Sequence, residues 1–468
     1  MNYINGTFLE SSKKIDIKNK YDGKSLGPAY FASAEQVELA TSTAAKHFIE
    51  EKKLHAHDRL LRLKKIIEEY EKRKKEFALI ISAEAGKPMG YANAEAERAL
   101  DTLIISYEEA KRIGGEVVPM DWSHAKGKSG MVQRFPIGPV IAISPFNFPL
   151  NLAMHKIAPA LACGCPIVIK PSPYAPLSLL KFAEVLMAAG VPGGMVQILL
   201  CDNSEAEVMV KDSRFKLLSF TGSPAIGWKL KNLAGKKKVL LELGGNASVI
   251  VDEGVDLKTC AAQVASGAFL YSGQICISTQ RVIVLDSQYD NFKKELISAV
   301  KNIKVGDPSD QLTVVGPLID RVHLDRIDQW VQEAVQQGAH IVCGGEIIDK
   351  EKNLYAPTVI ENAPKNCKVC AEEVFGPVMV LIRAKSFKEA LEISNDSQFG
   401  LQSGVFTNDL THMKRAHREL EVGAVIINGV PGFRIDHMPY GGVKDSGLGR
   451  EGPRYVIEEM TESRLLVY

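Results

Sequence analysis

Cysteine is scarce in this chain. Eight residues in 468 are too few for a disulfide framework, so the expectation is buried, reduced thiols in a protein of the cytoplasm. An excess of one charge sign is also missing. Lys and Arg number 57 against 56 Asp and Glu, a formal net charge of +1, which gives no electrostatic reason to bind nucleic acid. Long apolar runs are absent too. The best, Val140–Ser144, has strand length, and Met1–Leu9 has no basic segment followed by an apolar stretch, which argues against a membrane span and a secretory leader. There is no internal repeat and no low-complexity linker. What remains is an ordinary globular composition, 46% hydrophobic and 24% charged, with a length suggesting about three domains. Cys367-Lys-Val-Cys370 is a lone CxxC with no second pair and no nearby histidine, so no metal site is expected.

The first third reads as helical. Ser33-Ala-Glu-Gln36 has the form of a capping box opening a helix through about Glu51, and a later amphipathic helix over about Ala92–Ile113 carries Arg98. From Val140 the pattern changes to short apolar runs: Val140–Ser144, Pro166–Lys170, Met195–Leu200, Lys216–Phe220 and Val239–Leu243. Helical segments such as Pro176–Ala189 fall between several of them. That alternation predicts a parallel sheet covered on both faces. A second alternating block follows from about Ala247, with strands expected at Arg281–Leu285, Ile341–Val342 and Val378–Ile382.

Gly447-Leu-Gly-Arg-Glu-Gly452 matches GxGxxG letter for letter, but no strand precedes it and no βαβ unit can follow, so it reads as a Gly-rich turn. Phe220-Thr-Gly-Ser-Pro-Ala-Ile-Gly227 fits an anion site better. A strand runs into Gly222, then a helix starts with Pro224 where a missing N–H is harmless, and Ser223 adds a hydroxyl. Three further groups make a chemical set. Cys276 follows a Gly-bearing turn, Glu242 ends an apolar strand before two glycines, and Asn147 lies between aromatics at the end of another strand. Thiol, carboxylate and amide are the parts of covalent acyl chemistry: nucleophile, general base and oxyanion donor.

Pro145-Phe-Asn-Phe-Pro149, Lys170-Pro-Ser172, Phe220-Thr-Gly-Ser223, Leu241-Glu-Leu-Gly-Gly245, Gly273-Gln-Ile-Cys276, Glu373-Val-Phe-Gly-Pro377 and Met438–Gly449 occur in order. Together they resemble the NAD(P)-dependent aldehyde dehydrogenase superfamily along nearly the whole chain. The resemblance implies that Cys276 adds to the aldehyde, that Asn147 and the Cys276 N–H hold the oxyanion, and that Glu242 activates the hydrolytic water. It implies a cofactor, NAD or NADP, held by Lys170, Ser172, Pro173, Phe220, Thr221, Gly222, Ser223, Ile226, Leu243, Gly244, Glu373 and Phe375. No metal is implied. Many NAD-preferring relatives carry Glu where this chain has Pro173, so NADP is admissible.

The text looks most similar to the lactaldehyde dehydrogenase branch, with phosphonoacetaldehyde and non-phosphorylating glyceraldehyde-3-phosphate enzymes nearby. Lactaldehyde or glyceraldehyde is the expected type of substrate, and a phosphorylated, phosphono- or sulfo-aldehyde the alternative. Arg98, His155 and Arg434 are the candidate substrate contacts, although Arg98 could instead pair with Glu95 or Asp101 on its own helix and His155 could equally be an ordinary satisfied histidine. An arginine often precedes the nucleophile in the phosphate-handling relatives. Here it is Ile275, which removes a bidentate anion clamp. A CoA-acylating dehydrogenase and a non-catalytic protein of the same fold are the other readings.

The implied fold is α/β with a Rossmann-type dinucleotide-binding domain (1–118 and 136–246), an α/β catalytic domain (247–445) and a small β oligomerisation arm (119–135 and 455–468). The apolar end Leu465-Leu-Val-Tyr468 would be an exposed edge in a monomer, so a homodimer or homotetramer is expected. The partner is a small aldehyde, with no nucleic acid and no membrane.

Overall fold

The computed structural model describes residues 1–468. Five parallel strands form the centre of its first sheet: Val140–Ile143, Ile167–Lys170, Val196–Ile198, Leu217–Thr221 and Lys238–Glu242. They are runs of branched and aliphatic residues because helices cover both faces. Their spatial order is Val196, Ile167, Val140, Leu217, Lys238, so the winding reverses between Val140–Ile143 and Leu217–Thr221. At such a reversal the connections leave on opposite sides, and a crevice opens beyond the carboxyl ends of the two strands.

The second sheet is also parallel at its centre, running Thr358–Glu361, Val378–Ala384, Thr279–Leu285, Ala247–Val251, Gln402–Phe406 and Ala424–Ile427, with His340–Cys343 antiparallel at one edge. Helix Ala34–Glu51 starts with the capping box in place, Ser33 and Gln36 making both reciprocal bonds. Helix Met89–Ala110 packs on helix Asn151–Cys163, where Glu95 Oε1 accepts from the Asn151 N–H and the Thr102 hydroxyl bonds the Asn151 side chain.

Three features depart from the sequence expectation. The N-terminus adds strands Asn2–Ile4 and Thr7–Leu9 to one edge of the first sheet, and Gly447–Leu448 closes the other edge against Leu241 and Glu242. The arm sheet is Glu116–Val118, Gly130–Pro136 and Thr461–Val467, so it takes in residues placed with the first domain. Residues 453–459, expected largely in the arm, form a helix instead, and its Val456 and Ile457 join the largest apolar core. No helix is long and apolar enough to cross a membrane.

Candidate active site

The crevice at the winding reversal is a cleft of about 470 Å³. Lys170, Ser172, Pro173, Phe220, Thr221, Gly222, Ser223, Ile226, Leu243, Gly244, Glu373 and Phe375 all line it, together with Asn147, Glu242 and Cys276. Helix Pro224–Leu233 points its N-terminus at this space. Ser223 caps it in extended geometry, yet its hydroxyl makes no bond to the helix and stays free for a ligand. The first turn leaves backbone N–H groups unpaired, at the positive end of the helix dipole. Lys170 ends its strand 5% exposed, and burial lowers its pKa, with Cys201 and Asp202 offsetting part of the effect. The only carboxylates in the cleft wall are Glu242 and Glu373. Burial pushes Glu373 up to about 7, and its Oε1 accepts from the Gly245 N–H at 2.9 Å.

Cys276 borders this cleft and also a second cavity of about 130 Å³. The turn before it is strained: Tyr271, Ser272 and Gly273 have φ of 48°, 58° and 68° in succession. The Ser272 hydroxyl donates to Gly316 O at 2.8 Å and the Tyr271 hydroxyl to Ala85 O at 3.0 Å, which pins the strained turn. Glycine is required at 273, where a Cβ would lie 2.1 Å from Gly376 O, and at 245, where it would lie 2.2 Å from Cys276 O. The Asn147 amide donates to Gln274 O at 3.0 Å, two residues before the thiol. The Cys276 N–H makes no bond within the protein. Burial pushes the thiol up to about 12, against a hydrogen bond from Tyr440 that lowers it.

Glu242 is 5% exposed, and burial together with the negative charge of Glu451 raises its pKa well above the ordinary carboxylate range. Glu451 stays ionised. Burial works against it, but Lys156 at 2.8 Å and Arg434 at 3.1 Å hold it at about 2. Two buried carboxylates thus differ in protonation because only one has ion-pair partners.

The second cavity is walled by Arg98, Arg434, Lys87, Glu95, Tyr91, Phe148, Ile275 and Ile277, among others. Arg98 pairs with neither helical neighbour suggested by the sequence. Its guanidinium grips Asp436 with two bonds of 3.0 and 2.8 Å, while Lys87 takes Glu95. His155 requires a correction: it reaches neither cavity. It is fully buried, its Nε2 is 2.8 Å from Asp436, and burial lowers its pKa, so the neutral ring donates to that carboxylate. The sequence reading also passed over Asp436, Glu451, Lys156, Lys87 and Tyr440. A signal existed for Lys156: the one full charge inside the mostly apolar stretch 152–163 has to be paired. No cluster of His, Cys, Asp or Glu is arranged to hold a metal ion.

Residues 8–466 match the model of the aldehyde dehydrogenase family. The chain belongs to that family. It is 39% identical over 467 residues to 3-sulfolactaldehyde dehydrogenase of Priestia aryabhattai, covering 99% of this chain and 97% of that one. It is 37% identical to lactaldehyde dehydrogenase of Methanococcus aeolicus, covering 99% of each. Among solved structures it is similar to NADP-dependent glyceraldehyde-3-phosphate dehydrogenase of Bacillus halodurans complexed with NADP, with a TM-score of 0.96, 35% identity, and 100% of this chain and 98% of that one covered. This aldehyde dehydrogenase is an NAD(P)-dependent oxidoreductase that converts an aldehyde to the carboxylic acid.

The residues present fit the dinucleotide. The cleft offers a free helix N-terminus and hydroxyl for phosphate, and Lys170 and Ser172 with no carboxylate at 173. Pro173→Glu is therefore expected to lower the ratio of kcat/KM for NADP over NAD by about tenfold or more, because a carboxylate there repels a 2′-phosphate and accepts from a 2′-hydroxyl. Steady-state assays with each cofactor read the ratio. An unchanged ratio would put the 2′ position elsewhere.

Proposed function

We propose that this aldehyde dehydrogenase oxidises a three-carbon 2-hydroxyaldehyde bearing one negative charge on C3, such as a sulfonate. One observation carries this: the small cavity beside Cys276 has Arg98 and Arg434 in an otherwise largely apolar wall. Its volume, about 130 Å³, suits a short chain. Lys87 pairs with Glu95 and Arg98 with Asp436, while Arg434 and Lys156 share the single carboxylate Glu451, so with Glu242 protonated one positive charge is left for a monoanion. Ile275 in this wall offers no bidentate clamp for a doubly charged phosphate. The names of the three relatives agree on the 2-hydroxypropanal skeleton. Uncharged lactaldehyde is the second reading, favoured by Asp436 and Glu451 already engaging the two arginines.

In this proposal Cys276 is the nucleophile. Its thiolate adds to the carbonyl carbon, and the Asn147 amide with the Cys276 N–H receives the developing oxyanion; one such donor is typically worth about 10²–10³ in rate. A dinucleotide held in the cleft would supply the hydride acceptor needed to oxidise the adduct to the thioester. Glu242, once ionised, takes a proton from water, which attacks the thioester carbon and releases acid and thiol. Lys170 and Glu373 would hold the riboses of the dinucleotide, Ser223 its pyrophosphate and Phe375 its nicotinamide side, with Ile226 lining the adenine slot. We further place the protein in the cytoplasm, on eight free thiols, and in a dimer or tetramer, on the exposed Leu465, Leu466 and Val467 of the arm.

The test compares 3-sulfolactaldehyde, lactaldehyde and glyceraldehyde 3-phosphate on the native enzyme and on Arg98→Ala. The expected result is highest kcat/KM for the sulfonate, with KM raised about tenfold or more for the charged aldehydes and little changed for lactaldehyde. An equal rise for all three would remove the charge argument.

A further inference from the structure

The Tyr440 hydroxyl lies 3.0 Å from Cys276 Sγ. Tyr440 is 2% exposed and sits in the wall of the cavity that the thiol borders. Its backbone is held on both sides. Tyr440 N donates to Glu451 O and Glu451 N to Tyr440 O, and Asp436, four residues earlier, is fixed by Arg98 and Asn151. The Arg434 guanidinium covers the ring at 3.7 Å. None of the motif arguments singled this residue out.

We propose that Tyr440 is a further catalytic residue, whose phenol donates a hydrogen bond to the sulfur and favours its thiolate form. A thiolate only accepts, so the phenol is the donor once sulfur is charged. The other groups facing the sulfur set the need for such a donor. Glu242 and Glu373 oppose negative charge there, and Arg434 alone favours it. Burial opposes it more than any of them, and the Tyr440 bond is the largest contribution in the other direction. The phenol itself stays protonated, because burial and the neighbouring thiol and Glu242 raise its pKa well above the ordinary value. When the S–C bond forms, the sulfur loses its charge and the bond weakens, so the interaction stabilises the attacking state more than the adduct. Arg434, stacked on the ring, strengthens the phenol as a donor by the same positive field and joins the substrate cavity to the thiol.

The role assigned to Tyr440 rests on Cys276 being the nucleophile, and the experiment separates the two. The rate of Cys276 alkylation by iodoacetamide is followed against pH in the native enzyme and in Tyr440→Phe, with peptide mass mapping to confirm the site. The expected result in Tyr440→Phe is a midpoint shifted to higher pH and alkylation at neutral pH slower by about tenfold or more, a typical effect for a hydrogen bond to a charged group. Turnover should fall in parallel and recover as pH is raised, with cofactor affinity unchanged. If Tyr440→Phe does not fold, a fluorinated tyrosine placed at 440, a stronger donor of the same shape, should move the midpoint down. An alkylation profile that neither variant moves in the stated direction overturns the role of Tyr440. Complete alkylation of Cys276 with turnover intact overturns the role of Cys276 instead.

Discussion

Cys276→Ala is expected to lower kcat/KM by about 10⁴-fold or more while cofactor affinity stays within about twofold. The asymmetry follows from where the residue sits. Cys276 is one edge of a cleft whose other walls, Lys170, Ser223 and Glu373, come from separate elements that do not depend on it. The side chain is small and only partly buried, so its loss leaves a modest void and the fold should stay within about 1 kcal/mol of the native protein. Formation of reduced cofactor measures the activity, and fluorescence titration the affinity. Retention of most of the activity would mean that another group attacks the aldehyde.

Glu242→Gln is expected to separate two half-reactions. The amide keeps the shape and removes the base, so turnover should fall by about 10²–10³ while the first equivalent of reduced cofactor still forms as a burst. The substitution should be tolerated, because Glu242 has no ion-pair partner to lose and its burial already favours the neutral form. The pH dependence has a definite sign. With the pKa raised in the folded protein, the ionised carboxylate is scarce at low pH, so thioester hydrolysis in the native enzyme should rise with pH above the ordinary carboxylate range. In Glu242→Gln that rise should vanish. The same rise in the variant would assign the base to another group.

The parallel strands were legible because each is an apolar run closed by turn residues. Part of the cleft was legible because Asn147, Ser223 and Glu242 end or follow those strands, whereas Glu373 and Phe375 precede the strand Val378–Ala384 and came only from the resemblance. Thr221-Gly222-Ser223 and Glu242-Leu243-Gly244 each sit at a strand's carboxyl end, so strand position alone brings them together. The charge network was not legible, because its pairs are distant in the chain. Arg98 and Asp436 are 338 positions apart, and Lys156 and Glu451 are 295. Helix periodicity offered Arg98 local partners, but the fold supplied a buried carboxylate with two-point geometry. Glu451 lay inside the GxGxxG text and was set aside with it. That segment is indeed no phosphate loop, yet its acid is one of the ions behind the substrate cavity. His155 was placed at the substrate because it lies one helical stretch after Asn147. The helix is buried all round, so facing the cleft's direction did not mean reaching it. The N-terminal strands were missed because Asn2–Ile4 and Thr7–Leu9 have three residues each, too short to carry a period.

The most direct measurement is the intact mass of Glu242→Gln, quenched in acid after mixing with aldehyde and cofactor, followed by peptide mapping. One acyl group per chain on Cys276, formed at the rate of the burst, is the expected result. A full burst with Cys276 unmodified, or with the acyl group on another side chain, would contradict covalent catalysis at this thiol.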